Sequence, residues 1–231
     1  MAEETANGNI PDLLFHTLLT VIDFHTDTSG STRTVYVLGT HTTLPAAKAF
    51  SLVALEDLGY APEDFTTYAT RATTPLSEWT HGDGVFVYAK APAGQEFIIS
   101  LDTTPNPENL PETEEHTLKF PKGFNHLHYV LQTKTDYNQD KSGAYQTTEI
   151  EGCYVRRADA MSAARMALAE MDKHGFSQYD ERDADEEKGQ WPFGDDVVVH
   201  AVAETGENYQ VSVVTVPGAH KRYSKKQARK D

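Results

Sequence analysis

Residues 79–105 read WTHGDGVFVYAKAPAGQEFIISLDTTP, and residues 191–217 read WPFGDDVVVHAVAETGENYQVSVVTVP. Aligned without a gap, the two segments share 11 of 27 residues, including the only two tryptophans of the chain, Trp79 and Trp191. So many identities at one fixed offset indicate an internal duplication. The repeat decides the fold, because it means that one structural unit is used twice.

The similarity extends towards the N-terminus, where residues 18–39 match residues 131–152 at 8 of 22 positions. We therefore predict unit 1 at residues 13–105 and unit 2 at residues 124–217, each long enough to close its own core. Residues 1–12 are expected to be a flexible N-terminus. Residues 106–123 hold several prolines and glutamates, which predicts a stiff, solvated linker. Residues 218–231 form a basic tail.

Each unit reads as strand, hairpin turn, strand, helix and three further strands. The helix of unit 1 is expected to begin near Pro45 and to end at Gly59, and that of unit 2 to begin with Asp159 as its N-cap and to end at Gly175. Alternating apolar and polar residues predict strands at residues 15–24, 33–41, 65–70, 85–91, 95–103, 127–137, 146–155, 176–180, 197–203 and 207–215. The prediction is an α+β fold of two tandem ββαβββ repeats, mainly antiparallel and related by a pseudo-two-fold axis.

The charge distribution limits the classes of partner. The net charge is −15, although six of the twenty basic residues lie within residues 221–231. So acidic a body disfavours nucleic acid and anionic membranes, leaving the tail as a nuclear address, a nucleic-acid arm or a solubilising extension. No signal-peptide pattern or long apolar stretch is present, and Cys153 is the only cysteine. We expect a cytoplasmic or nuclear protein without an intrachain disulfide.

The two units differ most on one predicted sheet face. Several positions that are polar in unit 2 are apolar in unit 1: Gln132, Lys134, Glu149, Glu151 and Gln210 correspond to Leu19, Val21, Tyr36, Leu38 and Ile98. Period-two alternation places eight apolar residues on this extra face of unit 1: Phe15, Leu19, Val21, Tyr36, Leu38, Phe86, Tyr88 and Ile98. An apolar patch of this size is normally buried against another part of the protein or against a partner. This patch is covered either by unit 2, by the segment 10–14 or by a second copy of the chain, or else by a small molecule or peptide in an aromatic groove.

Signals for catalysis are few. His126 and His128 stand two apart on a predicted strand and could share a metal, but spacing supplies no third ligand, and surface histidines explain them equally. No nucleophile elbow, phosphate-binding loop or dinucleotide fingerprint is present, so we expect no cofactor. An enzyme alternative remains: a small cofactor-independent isomerase or hydrolase that acts on an apolar metabolite, with His126, His128 or His200 and an Asp near the substrate.

The runs YVLQT at 129–133, DYN at 136–138 and WPFGDDV at 191–197 resemble proteins of filamentous fungi that carry the same tandem repeat. This resemblance implies no reaction. From the residues we expect an intracellular, non-catalytic binding module that uses the apolar face of unit 1. Its partner would be a small apolar molecule, a peptide or a second copy of the chain. A basic-tailed nuclear or ribosome-associated factor is the third possibility.

Overall fold

The computed structural model describes residues 9–169, 171, 175–182 and 191–218. The order of its elements confirms the predicted ββαβββ arrangement in both units. Unit 1 holds β1 (Leu13–Ile22), β2 (Arg33–His41), α1 (Leu44–Asp57), β3 (Thr67–Thr70), β4 (Val85–Lys90) and β5 (Glu96–Pro105). Unit 2 holds β6 (His128–Asp136), β7 (Gln146–Tyr154), α2 (Arg157–Met166), β8 (Phe176–Glu181), β9 (Val197–Ala203) and β10 (Glu207–Thr215). A 3₁₀ turn at Pro62–Asp64, which the sequence pattern did not predict, lies between α1 and β3.

Each unit forms one five-stranded antiparallel sheet. The strand orders are β2-β1-β5-β4-β3 and β7-β6-β10-β9-β8, which are the same order in the two repeats. Two β-bulges recur at equivalent places. One inserts Leu38 into β2 or Glu151 into β7, and the other inserts Phe86 into β4 or Val198 into β9. Each bulge breaks the alternation of faces along its strand.

Helix α1 covers one face of the first sheet. It begins after Thr43, whose side chain accepts a hydrogen bond from the Ala46 backbone amide, and it carries a proline in its first turn as predicted. Ala54 and Leu55 are fully buried against the sheet. The chain leaves the helix through Gly59, whose φ of +94° is a conformation that glycine adopts without strain. This geometry fixes the position of the residues that follow the helix over β1 and β2.

Helix α2 begins earlier than the sequence predicted. Its N-cap is Arg156, so Asp159 lies in the first turn and the expectation that it caps the helix is wrong. Asp159 still adds a negative charge near the helix N-terminus, where the helix dipole favours it. The helix ends at Met166, before the predicted end at Gly175; residues 170 and 172–174 lie outside the described part of the chain.

The other faces of the two sheets pack against each other. Leu14, Leu18 and Val37 of unit 1 form one buried cluster with residues of unit 2 that include Tyr129 and Leu131. A separate buried cluster lies under each helix. The layers therefore run helix, sheet, sheet, helix, with three apolar cores between them.

Contacts between the units repeat across a pseudo-two-fold axis. The Arg33 side chain donates to Gly30 O at 2.9 Å and to Ala144 O. Its equivalent, Gln146, donates to Gly143 O at 2.7 Å and to Ser31 O at 2.8 Å. The two cross-unit bonds are related by the same offset of 113 residues, because 33 and 31 become 146 and 144. This reciprocity supports the predicted pseudo-symmetric assembly.

The segment between the units is partly packed, because Asn106, Leu110 and Leu118 are buried while residues 114–117, 119 and 121–123 are exposed. Leu110 and Leu118 are only 4% and 7% exposed and belong to the core between the sheets. Residues 9–12, expected to be flexible, are hydrogen-bonded to this segment. The Asn9 side chain donates to the Glu112 carboxylate at 2.7 Å, and the Asn106 backbone N–H donates to Asp12 O at 3.0 Å. The apolar residues among the prolines and glutamates explain the difference, since burying them outweighs solvation of the neighbouring charges.

No helix in the described ranges is both long and apolar enough to cross a membrane. The basic tail, predicted from residue 218 onwards, lies outside the described residues from residue 219. Residues 183–190, four of which are acidic, also lie outside them.

Candidate functional site

The eight apolar residues predicted to share one face of unit 1 are divided between two faces. Cross-strand pairs share a face in an antiparallel sheet. Leu19 pairs with Tyr36, and β1 alternation adds Phe15 and Val21 to the face that α1 covers. Ile98 pairs with Thr20 and Tyr88, which places Ile98 and Tyr88 on the face towards unit 2.

The bulges account for the two remaining residues. Phe86 lies on the helix side, where the Lys48 ammonium of α1 stands 5.9 Å from the ring centroid. Phe86 and Tyr88 therefore lie on opposite faces of the sheet, although they are two residues apart in the sequence. Leu38 packs against the cluster under α1. Alternation read from the sequence assigns every second residue to one face and does not detect an inserted residue. The prediction of a single continuous face is therefore wrong.

Four of the predicted residues, Leu19, Val21, Tyr36 and Leu38, line one groove, which we call the unit 1 groove. It has a volume of about 450 Å³ and lies between strands β1, β2 and β5 on one side and the residues that follow α1 on the other. Tyr36, Leu58 and Tyr60 at this groove remain 41%, 45% and 39% exposed. Three large apolar side chains are thus left accessible around one concavity.

Aromatic rings build the wall of the unit 1 groove below α1. Phe97 of β5 meets Tyr60 and Phe65 edge to face, with ring centroids 5.3 Å and 5.4 Å apart. Tyr60 also contacts Phe65 at 5.7 Å. Mutual edge-to-face contacts hold the rings in fixed positions, so the wall exists before any partner binds. Tyr60 and Phe97 were not predicted from the sequence to belong to this site. Phe97 could have been found as the cross-strand neighbour of Val21.

The rim of the groove is polar and acidic. Asp23, Thr32, Thr34 and Gln95 contribute to its lining. The Asp23 carboxylate accepts hydrogen bonds from the Thr26 hydroxyl and from backbone amides in the hairpin turn, and these bonds hold its pKa below the ordinary value. The rim therefore carries a negative charge at neutral pH.

Unit 2 has the same backbone but charged side chains at this location. Gln132, Lys134, Glu149 and Glu151 stand where unit 1 has Leu19, Val21, Tyr36 and Leu38. The Lys134 ammonium lies 3.5 Å from the Glu207 carboxylate. Leu19 is 5% exposed and belongs to the core under α1, and Val21 and Leu38 pack against that core. Tyr36 is 41% exposed, so packing within unit 1 does not explain an aromatic ring at that position.

The predicted histidines do not form a metal centre. His126 and His128 are neighbours, with ring centroids 5.0 Å apart. Across the described ranges, however, no group of three or more His, Cys, Asp or Glu side chains is arranged to hold an ion. His126 lines a cavity of about 230 Å³ at the seam between the units, which Leu38 and Tyr129 also line.

His200 belongs to a duplicated stack of rings. In unit 2 the Phe193 ring stacks on it with centroids 3.9 Å apart, and in unit 1 His81 stacks on Tyr88 at 4.0 Å. Its Nδ1 lies 3.6 Å from an Asp180 carboxylate oxygen, and the residue is 7% exposed. Because the stack recurs with the ring types exchanged, it is a structural feature of both units.

A buried polar chain on the pseudo-two-fold axis was not foreseen from the sequence. His16 is fully buried, and its Nδ1 and Nε2 lie 2.8 Å from Thr40 Oγ1 and Thr104 Oγ1. Thr104 donates its proton to Pro105 O at 3.0 Å, so it must accept from His16 Nε2–H. Thr40 then donates to Nδ1 and accepts from the Tyr129 hydroxyl, also at 2.8 Å.

Burial sets the protonation states in this chain. It lowers the pKa of His16 to about 3, so the imidazole is neutral at pH 7. It also raises the pKa of the Tyr129 hydroxyl above its ordinary value and the pKa of the Cys153 thiol to about 12. None of the three groups is poised for proton transfer near neutral pH. The signal that could have revealed the cluster is the duplication itself, because His16 and Tyr129 occupy equivalent positions.

No protein-family model matches the chain, and comparisons with curated proteins and with solved structures find no match to it.

Proposed function

We propose that this protein is a non-catalytic binding module whose unit 1 groove takes a small apolar molecule. The observation that carries the proposal is the difference between the repeats: the same scaffold supports a concave aromatic site in unit 1 and charged residues in unit 2. Exposed apolar side chains held around a preformed concavity are typical of a ligand site.

The dimensions of the groove favour a small molecule over the two other expected partners. A volume of about 450 Å³ falls within the range typical of small-molecule sites, roughly 300–1,000 Å³. A stable self-association would bury about 800 Å² on each copy, and the exposed apolar residues at this groove are only Tyr36, Leu58 and Tyr60. A peptide would need an elongated track of side-chain pockets.

The charge of the rim restricts the ligand further. The ionised Asp23 carboxylate stands at the edge of the groove, and the whole chain carries a charge of −15. The Asp23 carboxylate would repel an anionic ligand at this groove, so the ligand expected there is neutral or cationic. Its apolar body would lie against Tyr36 and Phe97, and its polar groups would face Thr34 and Gln95.

A neutral fluorescent probe tests this proposal. N-phenyl-1-naphthylamine should bind the intact protein saturably with one site per chain, with a rise in its fluorescence. Tyr36→Glu and Leu38→Glu each install the residue that unit 2 carries at the same position, and each should weaken probe binding by about tenfold or more. Leu76→Glu, at a residue that is 73% exposed on a distant loop, is the matched control and should leave binding unchanged.

Several results would contradict the proposal. One is the absence of saturable probe binding, and another is equal binding by the wild-type chain and by Tyr36→Glu. Sedimentation velocity distinguishes the self-association alternative: a wild-type dimer that becomes monomeric in Tyr36→Glu would show that the face is a subunit interface. Mass spectrometry of small molecules retained by the wild-type protein but not by Tyr36→Glu would then identify the natural ligand.

A further inference from the structure

A second cavity lies between the two sheets, on the pseudo-two-fold axis. We call it the axial cleft. It has a volume of about 400 Å³ and is lined by both units. Of the residues that line it, Thr34 on the edge strand β2 also lines the unit 1 groove. Leu18 and Leu131, which are 4% and 5% exposed, lie at one end. Arg33 and Gln146, with their reciprocal bonds across the units, lie at the other.

The two walls of the axial cleft are equivalent rows of cross-strand neighbours with different chemistry. In unit 1, Thr20 is flanked by Val35 and Ile98. In unit 2, the equivalent Thr133 is flanked by Thr148 and Gln210. Facing sheets usually fill the space between them with apolar side chains from both sides. In the axial cleft, the wall from unit 1 has apolar side chains on both sides of its threonine. The wall from unit 2 has the Thr148 hydroxyl and the Gln210 amide at the equivalent positions.

The Arg33 guanidinium supplies a positive charge at the end of the cleft. It is half-buried, and its hydrogen bonds in the described structure go to two backbone carbonyls, Gly30 O and Ala144 O. Among the described residues it has no carboxylate within salt-bridge distance, although a partly buried cation is normally paired. Glu96 acts on it only from farther away and contacts Lys90 at 3.0 Å.

We propose that the axial cleft binds a small organic carboxylate through the Arg33 guanidinium, with the apolar body of the ligand against Val35 and Ile98. The carboxylate would form the close ion pair that Arg33 does not make within the described ranges, and a planar guanidinium matches its geometry. Polar substituents of the ligand face Thr148 and Gln210. Asp196, an exposed carboxylate that also lines the cleft, disfavours a second negative charge on the ligand.

This site is independent of the unit 1 groove. Tyr88 and Ile98, which the sequence placed with the residues of that groove, lie on the opposite face of the sheet, and Ile98 lines the axial cleft. The two sites also differ in charge, because the charged lining residue of the groove is Asp23, whereas the cleft holds Arg33 together with Asp196.

Unit 2 supplies the variant that tests the role of the charge. Gln146, the equivalent of Arg33, makes the same pair of bonds to a turn carbonyl of its own unit and to a carbonyl of the other unit. Arg33→Gln should therefore keep the structural hydrogen bonds and remove the positive charge. Arg33→Lys keeps the positive charge but replaces the planar guanidinium with an ammonium group, so comparing the two variants separates the effect of charge from that of guanidinium geometry.

The probes are benzoate and benzyl alcohol, which share a ring and differ in charge. Isothermal titration calorimetry should show saturable binding of one benzoate per chain in the millimolar range, and benzyl alcohol should bind at least about tenfold more weakly. Arg33→Gln should weaken benzoate binding about tenfold or more without lowering the urea midpoint of unfolding. Arg33→Lys keeps the charge but loses the planar pair of donors, so it should bind benzoate more weakly than wild type and more tightly than Arg33→Gln. Tyr36→Glu should leave benzoate binding unchanged.

Three outcomes would overturn the proposal: no saturable benzoate binding up to about 10 mM, wild-type affinity in Arg33→Gln, or loss of benzoate binding in Tyr36→Glu, which would place the probe in the unit 1 groove. If Arg33→Gln fails to fold, Ile98→Gln serves in its place. It copies Gln210 into the apolar wall, and unchanged benzoate affinity in this variant would equally refute the assignment.

Discussion

Lowering the pH should destabilise the protein through His16, by an amount that follows from its burial. The imidazole is neutral in the folded state because burial lowers its pKa to about 3, whereas it titrates near 6.5 when exposed. The unfolded chain therefore binds an additional proton between these two pH values. The stabilisation is fully present above pH 6.5, declines as the pH falls below 6.5, and is lost by about pH 3.

At a moderately acidic pH, the free energy of unfolding lost through His16 is a large part of the stability of a domain. At pH 4.5 the unfolded imidazole is protonated and the folded one is not, over about two pH units at about 1.4 kcal/mol each. The expected loss is about 3 kcal/mol, a substantial part of the roughly 5–15 kcal/mol that a domain has. The folded protein does not avoid this loss by protonating His16, because a proton on Nδ1 would remove the acceptor for the Thr40 hydroxyl.

His16→Gln isolates this contribution from that of the carboxylates. A glutamine amide supplies one acceptor for Thr40 and one donor for Thr104, and it does not titrate. Urea unfolding would be followed by tryptophan fluorescence at pH 7.5, 6.5, 5.5 and 4.5 (about one pH unit apart), with His25→Gln, at an exposed turn residue, as the control. The wild-type and His25→Gln curves should fall more steeply than the His16→Gln curve. Parallel pH dependence in wild type and His16→Gln would refute the reasoning.

Three other predictions follow from the described contacts. Cys153 should resist iodoacetamide at pH 8 in the native protein and react after unfolding, because the thiol is 2% exposed and its pKa is raised to about 12; mass spectrometry measures the modified fraction. Gly82→Ala and Gly194→Ala should each destabilise the chain by about 1–2 kcal/mol, since both residues have a φ above +100° in equivalent turns, and unequal urea midpoints would show that the turns are not equivalent. Thr40→Val should cost about 2–4 kcal/mol in urea unfolding, because it leaves two buried hydrogen-bonding groups without a partner.

The regular elements could be predicted because their signals are local. Alternation along β9 and β10 and a turn glycine such as Gly206 appear within a few residues of one another, and the second copy of each pattern confirmed the first. Bulges are different. Leu38 and Phe86 break the period of two without changing the composition of their strands, so only the pairing register reveals on which face each side chain lies.

The parts of the site that escaped prediction depend on contacts between distant segments. Tyr60 reaches the unit 1 groove because the chain leaves α1 through Gly59 above the sheet, and Arg33 reaches the axial cleft because unit 2 packs opposite. The apolar residues Leu110 and Leu118 were hidden among prolines and charges that suggested a solvated linker. Composition describes a segment on its own, whereas burial depends on what the segment meets.

The polar chain on the axis gives a physical reason why the two units could not remain identical. Hydrogen bonds there run in one direction, from the Tyr129 hydroxyl through Thr40 to His16 and on to Thr104. A two-fold axis would place the same residue at positions 16 and 129, and two copies of one donor–acceptor sequence cannot point along a single direction across the axis. At least one buried group would then lack a partner, at a cost of about 1–3 kcal/mol. Replacing Thr40 by its unit 2 counterpart, Cys153, in Thr40→Cys should therefore destabilise the interface, since a thiol donates and accepts weakly. An unchanged urea midpoint in that variant would show that the direction of the chain is unimportant.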